Sequence, residues 1–129
     1  MQRQRGFSLV EVLVAVLIIT VVVLTSLAVF TERQRRMRTA NETILTYQVL
    51  ANEAEVRRRI SFDQLETAQG TFMSDTSLLS PLQPYTTEVI VDRKSTAQKN
   101  LTLSIHWRNG QRTASLLLIR TSTGGSNLW

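Results

Sequence analysis

The chain has 129 residues, of which 43% are hydrophobic and 19% are charged, and its formal net charge is +5 at pH 7. This length allows one small domain beside any membrane segment, and the mild basic excess is not a signature of nucleic-acid binding. Cysteine is absent, which excludes disulfides, thiol nucleophiles and thiolate metal sites.

The first element is an apolar run from Phe7 to Phe30, in which Glu11 is the only ionisable side chain. As a helix this run would be about 36 Å long, enough to cross a hydrocarbon core of about 30 Å. A carboxylate inside such a helix costs about 2.5–3.5 kcal/mol, so Glu11 needs a partner. Cutting the bond between Gly6 and Phe7 would create an α-ammonium about one helical turn away. We therefore expect a cleaved precursor with a transmembrane helix.

The residues around this bond resemble the signal of type IV prepilins and type II secretion pseudopilins. They supply a basic leader, a Gly before the cut, an aromatic first mature residue and a Glu at the fifth mature position, as Arg5-Gly6-Phe7-Ser8-Leu9-Val10-Glu11. The resemblance implies that a membrane prepilin peptidase cuts after Gly6 and N-methylates Phe7. It also implies that Glu11 faces the Phe7 amine of a neighbouring subunit in a filament, with no catalytic role.

The resemblance further implies an organisation, partners and a location. Residues 1–6 would be a cleaved leader, residues 7–30 a transmembrane or filament-core helix, and residues 31–129 a pilin-like head. The partners would be the prepilin peptidase, other pilin or pseudopilin subunits and the inner-membrane assembly platform. The chain would cross the bacterial inner membrane with a cytoplasmic N-terminus and a periplasmic head, and then enter a pilus or pseudopilus.

Two other interpretations of the apolar run stay open. A secretory signal peptide would have a shorter core followed by a small-residue cleavage site, whereas Phe30 is followed by Thr31-Glu32-Arg33. A plain signal anchor explains the length but leaves Glu11 unexplained. The flanking arginines, two before the run and four soon after it, by themselves favour a cytoplasmic C-terminus. The leader motif outweighs this count because a six-residue leader is too short to be a domain.

The helix is expected to continue beyond the membrane to about Phe62, because no Gly or Pro occurs between Phe7 and Phe62. The arginines of the charged stretch 32–38 would be solvated at the outer membrane boundary or contact anionic lipids. The triplet 57–59 would be the exposed end of the helix or contact an acidic partner subunit. Two apolar stripes at helical spacing are expected to mark the face under a sheet: Met37, Ala40, Ile44, Tyr47, Ala51 and Ala54, and Leu45, Val49, Val56 and Ile60.

The remaining residues predict a loop, a sheet and a tail. Residues 63–84 contain one Gly and two Pro and form the loop, with Leu78-Leu79 as its anchor on the core. Residues 85–120 contain three runs of β-branched or alternating residues, which predict an antiparallel sheet of three or four strands. Residues 121–129 are the tail. The predicted fold is therefore α+β, a long N-terminal helix packed against a small sheet.

The last two strands are expected to form a hairpin around Asn109-Gly110, because a two-residue type I′ turn needs positive φ at both central positions. Pairing Arg108 with Gln111 fixes the register. The core face then pairs Trp107 with Arg112, Ile105 with Ala114, Leu103 with Leu116, and Leu101 with Leu118. The other face is mostly polar and pairs His106 with Thr113, Ser104 with Ser115, and Thr102 with Leu117. We expect ordinary core-edge packing for Trp107 beside Arg112, with a cation–π contact as the alternative.

Catalysis has little support in this sequence. His106 has no Cys partner and falls on the polar sheet face, so it is expected to be a surface histidine. No spacing of carboxylates predicts a metal loop, and no cofactor is expected.

The candidate phosphate contacts for DNA are four cations, Arg93, Lys94, Lys99 and Arg108.

The leading hypothesis is a minor pilin-like structural subunit of a type IV pilus-type filament, and not an enzyme. By resemblance, a major pilin would carry a C-terminal Cys pair and often a Pro where Ala28 stands, and the major pseudopilin would carry a calcium loop. The alternative within this class is the I-type minor pseudopilin of type II secretion. A DNA-binding tip pilin for competence is the alternative from another class, and salt-dependent DNA binding by the head would test it.

Overall fold

The structure is a computed structural model and describes residues 6–122. Most of the expected leader and the tail from residue 123 lie outside the described residues. The chain divides into two units, Met1–Ala40 and Asn41–Trp129. The described elements are helix α1 (Leu9–Arg58), 3₁₀ helices at Phe62–Ala68 and Ser77–Leu82, and strands β1 (Tyr85–Ser95), β2 (Gln98–Trp107) and β3 (Arg112–Thr121).

Helix α1 ends at Arg58, about one turn before the expected end near Phe62. The carbonyl groups of Arg57 and Arg58 at its end, and that of Ile60 just beyond it, accept hydrogen bonds from the guanidinium of Arg120 on β3, at 3.3, 2.5 and 3.3 Å. The last carbonyls of a helix have no intrahelical partner, and a cation also suits the negative end of the helix dipole. A side chain distant in sequence therefore closes the helix, which explains why no Gly or Pro marks its end.

The three strands form one antiparallel sheet in the order β1-β2-β3, which confirms the α+β prediction. The predicted hairpin register is confirmed from the Trp107–Arg112 pair to the Leu101–Leu118 pair. Asn109 and Gly110 have φ of 56° and 80°, as a type I′ turn requires. Arg108 also has a positive φ, 52°, which the turn type does not require.

The core face of the sheet packs against α1. The core side chains of the sheet are Val89, Leu103, Ile105, Trp107 and Ala114, and those of the helix are Val49, Leu50 and Ala54. The opposite face is less polar than predicted, because Ile90, Leu117 and Ile119 lie exposed on it at 42%, 56% and 54%. The prediction of a core face is therefore confirmed. The prediction of a mostly polar outer face is wrong where Ile90, Leu117 and Ile119 lie.

The predicted stripes of α1 only partly match the face that is buried. Val49 and Ala54 are buried, but Ile44 and Tyr47 remain 63% and 50% exposed. The buried residues of the helix are Thr46, Val49, Leu50, Glu53, Ala54 and Arg57. Half of these side chains are polar or charged, so a search for apolar periodicity could not locate the face.

The expected loop 63–84 is built largely from the two 3₁₀ helices. Leu65 and Ala68 of the first, and Leu79 and Leu82 of the second, are buried. Of the predicted anchor pair, Leu79 is fully buried whereas Leu78 is 39% exposed. The segment is therefore fastened to the core at several points, although its anchor is not the Leu78-Leu79 pair as a unit.

Candidate processing and assembly site

Gly6 and Phe7 precede α1 and are exposed. A Cβ built on Gly6 would meet no described atom within 4 Å. Phe7 is 81% exposed. Packing in the described residues therefore gives no reason for glycine at position 6 or an aromatic residue at position 7, and both are accessible to another protein.

The first turn of α1 is organised by Ser8. The Glu11 N–H donates to the Ser8 carbonyl oxygen at 3.0 Å and to the Ser8 side-chain oxygen at 3.2 Å. This is the N-cap arrangement, in which a hydroxyl satisfies a free N–H at the helix start. The spacing of Ser8 and Glu11 is that of a capping box, a signal that the sequence interpretation missed. Because the helix begins at Leu9, Phe7 lies just before the helix, and the expected separation of about one helical turn between its nitrogen and Glu11 stays a prediction.

The hydroxyl groups within the apolar run are satisfied by the helix itself. Thr20 donates to the Val16 carbonyl at 2.8 Å, and Ser26 donates to the Val22 carbonyl at 2.7 Å. Thr25 also bonds to backbone carbonyls one turn earlier. Such bonds remove the cost of placing these hydroxyls in lipid. Among the polar side chains of residues 7–30, only the Glu11 carboxylate has no hydrogen bond to the part of the chain that the structure describes.

The run also has the length and composition of a membrane span. Helix α1 contains an apolar segment near the N-terminus that is long enough to cross a bilayer, and none of it is buried within the protein. Its large side chains between Leu9 and Phe30 are each at least half exposed. An apolar surface of this extent is expected to be covered by lipid or by other helices.

Comparison with known proteins identifies the start of the chain. Residues 1–27 match the prokaryotic N-terminal methylation motif. The chain carries a prepilin-type signal. This is the cleavage and methylation signal of type IV pilins and pseudopilins, and it implies processing by a prepilin peptidase and assembly with other pilin subunits. No curated protein and no solved structure matches the chain.

The four candidate phosphate contacts do not form one surface on the sheet. Arg93 and Lys99 are a cross-strand pair near the β1–β2 turn, whereas Arg108 lies in the β2–β3 turn, about 30 Å along the strand. Each cation has an acidic neighbour. The nitrogen–oxygen distances are 3.5 Å for Arg93–Glu66, 2.6 Å for Lys94–Asp92, 3.6 Å for Lys99–Glu66 and 2.7 Å for Arg108–Glu42. The Lys99 side chain is also buried, so this arrangement does not favour phosphate binding.

Two further predicted sites have different outcomes. The His106 ring lies on the outer sheet face, with Nδ1 2.9 Å from the Thr113 hydroxyl and Nε2 3.9 Å from a Glu88 oxygen, as expected of a surface histidine. Trp107 packs in the core, which confirms the expected core packing, and its Nε1–H also donates to Glu42 at 3.2 Å, a contact that was not expected. Among residues 6–122, no cluster of His, Cys, Asp or Glu has the arrangement of a metal site.

The structure also contains a buried ion pair that the sequence interpretation missed. Arg57, expected at an exposed helix end, is fully buried, and its Nε lies 2.5 Å from an oxygen of the equally buried Glu53. Arg57 also donates to the carbonyls of Ala68 and Thr71. The Glu53 carboxylate accepts hydrogen bonds from the backbone N–H groups of Met73 and Ser74 at 3.0 and 2.8 Å.

This network changes the protonation of Glu53. Burial raises the pKa of Glu53, but the N–H donors of Ser74 and Met73 and the guanidinium of Arg57 outweigh it and lower the pKa from its ordinary value of 4.5. The carboxylate is therefore charged at neutral pH and satisfied on all sides. Its function is to fasten the segment after the first 3₁₀ helix to α1.

Proposed function

We propose that the chain is a minor pilin-like structural subunit, cleaved between Gly6 and Phe7 and N-methylated at Phe7. After cleavage its apolar helix remains in the inner membrane until it enters a type IV pilus-type filament. The observation that carries this proposal is the Glu11 carboxylate, which has no hydrogen-bond partner among residues 6–122, at the start of an otherwise self-satisfied apolar run. An intramembrane carboxylate is expensive and needs an external partner.

The partner we propose is the α-ammonium at Phe7 of a neighbouring subunit. In the precursor this nitrogen is an amide, whereas cleavage gives it a reference pKa of about 7.7–8.0 and a positive charge near neutral pH. In a filament, the Glu11 of an incoming subunit can meet the amine of a subunit already placed. That contact satisfies both charges and sets the axial register of the two helices.

A local role for Glu11 competes with this assembly role. Glu11 lies in the first turn of α1, where a carboxylate is stabilised by the helix dipole by about 0.3–1 kcal/mol. That contribution is smaller than the cost of about 3–5 kcal/mol expected when one partner of a buried ion pair is removed. A Glu11 substitution is therefore expected to affect filament entry more than helix stability, and the two effects can be measured separately.

The I-type minor pseudopilin remains the alternative, because its N-terminal signal would be the same. The small head and the lack of any metal-binding cluster among residues 6–122 are compatible with both types of subunit. A DNA-binding tip pilin has weaker support, since its four proposed contact residues are dispersed and paired with carboxylates. The neighbouring genes would separate a pilus from a secretion system.

The processing step is tested with Gly6→Val. The fold tolerates a larger residue there, so loss of maturation would reflect recognition by the peptidase. The variant should stay full-length in the membrane, while the isosteric control Thr20→Val in the same apolar run should be processed normally. Mass spectrometry of the extracted chains is the measurement. An N-methylated Phe7 in Gly6→Val would show that the peptidase does not require glycine before the cut. A mature wild-type chain that begins at a residue other than Phe7 would show that the cut has been assigned to the wrong bond.

The assembly step is tested with Glu11→Val, with Glu32→Val as a matched control beyond the apolar run. Glu11→Val should be inserted and cleaved but should not cross-link to other subunits of the filament. Glu11→Asp should be intermediate, because it keeps the charge and loses reach. Glu32 pairs with Arg36 at 3.0 Å, so Glu32→Val should cross-link normally. Equal cross-linking of Glu11→Val and the wild type would leave a simple membrane anchor as the better account.

A further inference from the structure

Four exposed arginines follow the apolar run within the next two helical turns: Arg33, Arg35, Arg36 and Arg38. We call them the arginine belt. Arg36 pairs with Glu32 at 3.0 Å. The other three have no carboxylate within 4.0 Å among the described residues. The belt therefore carries three charges that the described part of the protein does not neutralise.

The belt surrounds the helix. At about 100° per residue, Arg35, Arg36 and Arg38 lie about 200°, 300° and 140° around the axis from Arg33. A protein partner docks on one side of a helix, whereas a layer of lipid headgroups contacts it from every side. The angular spread therefore favours lipid over a single protein surface.

The belt also lies at headgroup depth if the apolar run ends at the hydrocarbon boundary. Arg33 is about 4.5 Å and Arg38 about 12 Å beyond Phe30 along the axis. The headgroup layer on each side of a bilayer is about 5–8 Å thick, and arginine side chains extend several ångströms along the helix to reach it.

We propose that the arginine belt binds net-negative phospholipid headgroups of the leaflet on the side of the head. This inference rests on the proposed membrane span of residues 7–30. Arginines on the translocated side oppose the usual distribution of positive charge, and pairing with anionic lipid offsets that disadvantage. Each arginine near an anionic surface should increase the affinity about fivefold. The bound lipid would hold the subunit at a fixed depth before it enters a filament.

The test compares the full-length chain with two triple variants in detergent, to which phosphatidylglycerol or phosphatidylcholine is added. The belt variant changes Arg33, Arg35 and Arg38 to Gln. The control variant removes the same charge from the head by changing the exposed Arg58, Arg59 and Arg93 to Gln. Native mass spectrometry counts the lipids that stay bound.

The wild type and the control variant should retain phosphatidylglycerol in preference to phosphatidylcholine, and the belt variant should lose this preference by more than about tenfold. Equal retention of both lipids by the wild type, or an unchanged preference in the belt variant, would overturn the inference. Carbonate extraction of membranes from the same cells tests the span separately. A wild-type chain that is extracted contradicts the span itself, whereas one that stays in the membrane without lipid preference contradicts only the lipid contact.

Discussion

Glu53 and Arg57 form an ion pair in the interior of the head, where Lys99 is also buried. A buried ion pair is weak evidence of net stability, because desolvation offsets much of the attraction. Here the pair holds both α1 and the segment after the first 3₁₀ helix, through hydrogen bonds to four backbone groups. Removing one member should therefore be costly, since the remaining charge would stay buried without a partner.

The first stability prediction concerns Glu53→Gln in the head. Gln keeps an acceptor for the backbone N–H groups but leaves Arg57 uncompensated, so the free energy of unfolding at pH 7 should fall by about 3–5 kcal/mol. Glu55→Gln, two residues away, removes an exposed partner of Arg58 at 3.8 Å and should cost less than about 0.5 kcal/mol. Chemical denaturation at pH 7 measures both variants. If both variants lost a similar, small amount of free energy of unfolding, the Glu53–Arg57 pair would not be essential for stability.

The pH dependence of the same variant follows from the pKa of Glu53, which is lowered from 4.5. A carboxyl group with a depressed folded pKa stabilises the folded state fully above its unfolded pKa, and this contribution disappears as the pH falls through the folded pKa. The wild type should therefore lose stability below about pH 4.5, and Glu53→Gln should show a shallower loss in that range. Parallel curves of unfolding free energy against pH for the wild type and Glu53→Gln would contradict the assignment of this pH dependence to Glu53.

These residues also show where the sequence was insufficient. The triplet 57–59 contains three arginines in succession, and nothing local to it distinguishes the buried Arg57 from its exposed neighbours. The distinction depends on carbonyl groups 11 and 14 residues away in the chain. In contrast, the processing residues form a contiguous motif, which is why Gly6, Phe7 and Glu11 could be proposed from the sequence alone.

Among the elements, the β2–β3 hairpin could be predicted almost completely. An Asn-Gly turn and two alternating strands fix the register, because a shift of one residue would turn every core side chain to solvent. The packing of the core face of the hairpin on α1 was also expected, but the polar contact between them could not be predicted. In this contact Glu42 accepts hydrogen bonds from the Trp107 indole at 3.2 Å and from Arg108 at 2.7 Å.

The pKa of Glu42 is consistent with this attachment. Partial burial raises the pKa, but the hydrogen bonds from Arg108 and Trp107 outweigh it and lower the pKa from 4.5. A charged acceptor at this position strengthens both hydrogen bonds.

The prediction at this scale concerns the core face of the sheet. Leu103 on β2 is fully buried among helix and strand residues, whereas Leu78 in the second 3₁₀ helix is 39% exposed. Leu103→Ala should lower the free energy of unfolding by about 2–5 kcal/mol, because it leaves a cavity in the core. Leu78→Ala should cost clearly less, since part of its side chain is already in water. Equal losses of free energy of unfolding in the two variants, measured by denaturation, would contradict the assignment of Leu103 to the core face.

At the scale of the whole molecule, the two units have different surroundings. The described apolar residues of Met1–Ala40 are exposed, as expected of a segment that lipid or other helices cover. Within residues 41–122, every buried residue lies in the range from Thr46 to Leu118. The head should therefore contain its own folding information, with the membrane segment dispensable for that purpose.

This conclusion predicts how three fragments of the chain, each extending to its C-terminus, should behave. Fragments beginning at Thr31 and at Asn41 both retain the whole core and should be soluble, with mixed helix and sheet signals and equal free energies of unfolding. A fragment beginning at Ala51 lacks the fully buried Thr46, Val49 and Leu50. Loss of the two aliphatic side chains alone removes about 3–6 kcal/mol, against a total stability of about 5–15 kcal/mol for a typical domain.

The Ala51 fragment should therefore be largely unfolded, and circular dichroism with urea titration separates the possible outcomes. Cooperative unfolding of the two longer fragments and none in the shortest would place the boundary of the folding unit between Asn41 and Ala51. An unfolded spectrum for the Thr31 fragment would mean that the head needs the membrane segment or a partner subunit to fold. Because a subunit waiting in the membrane must stay folded before assembly, that result would also require its partners to be present from the moment of insertion.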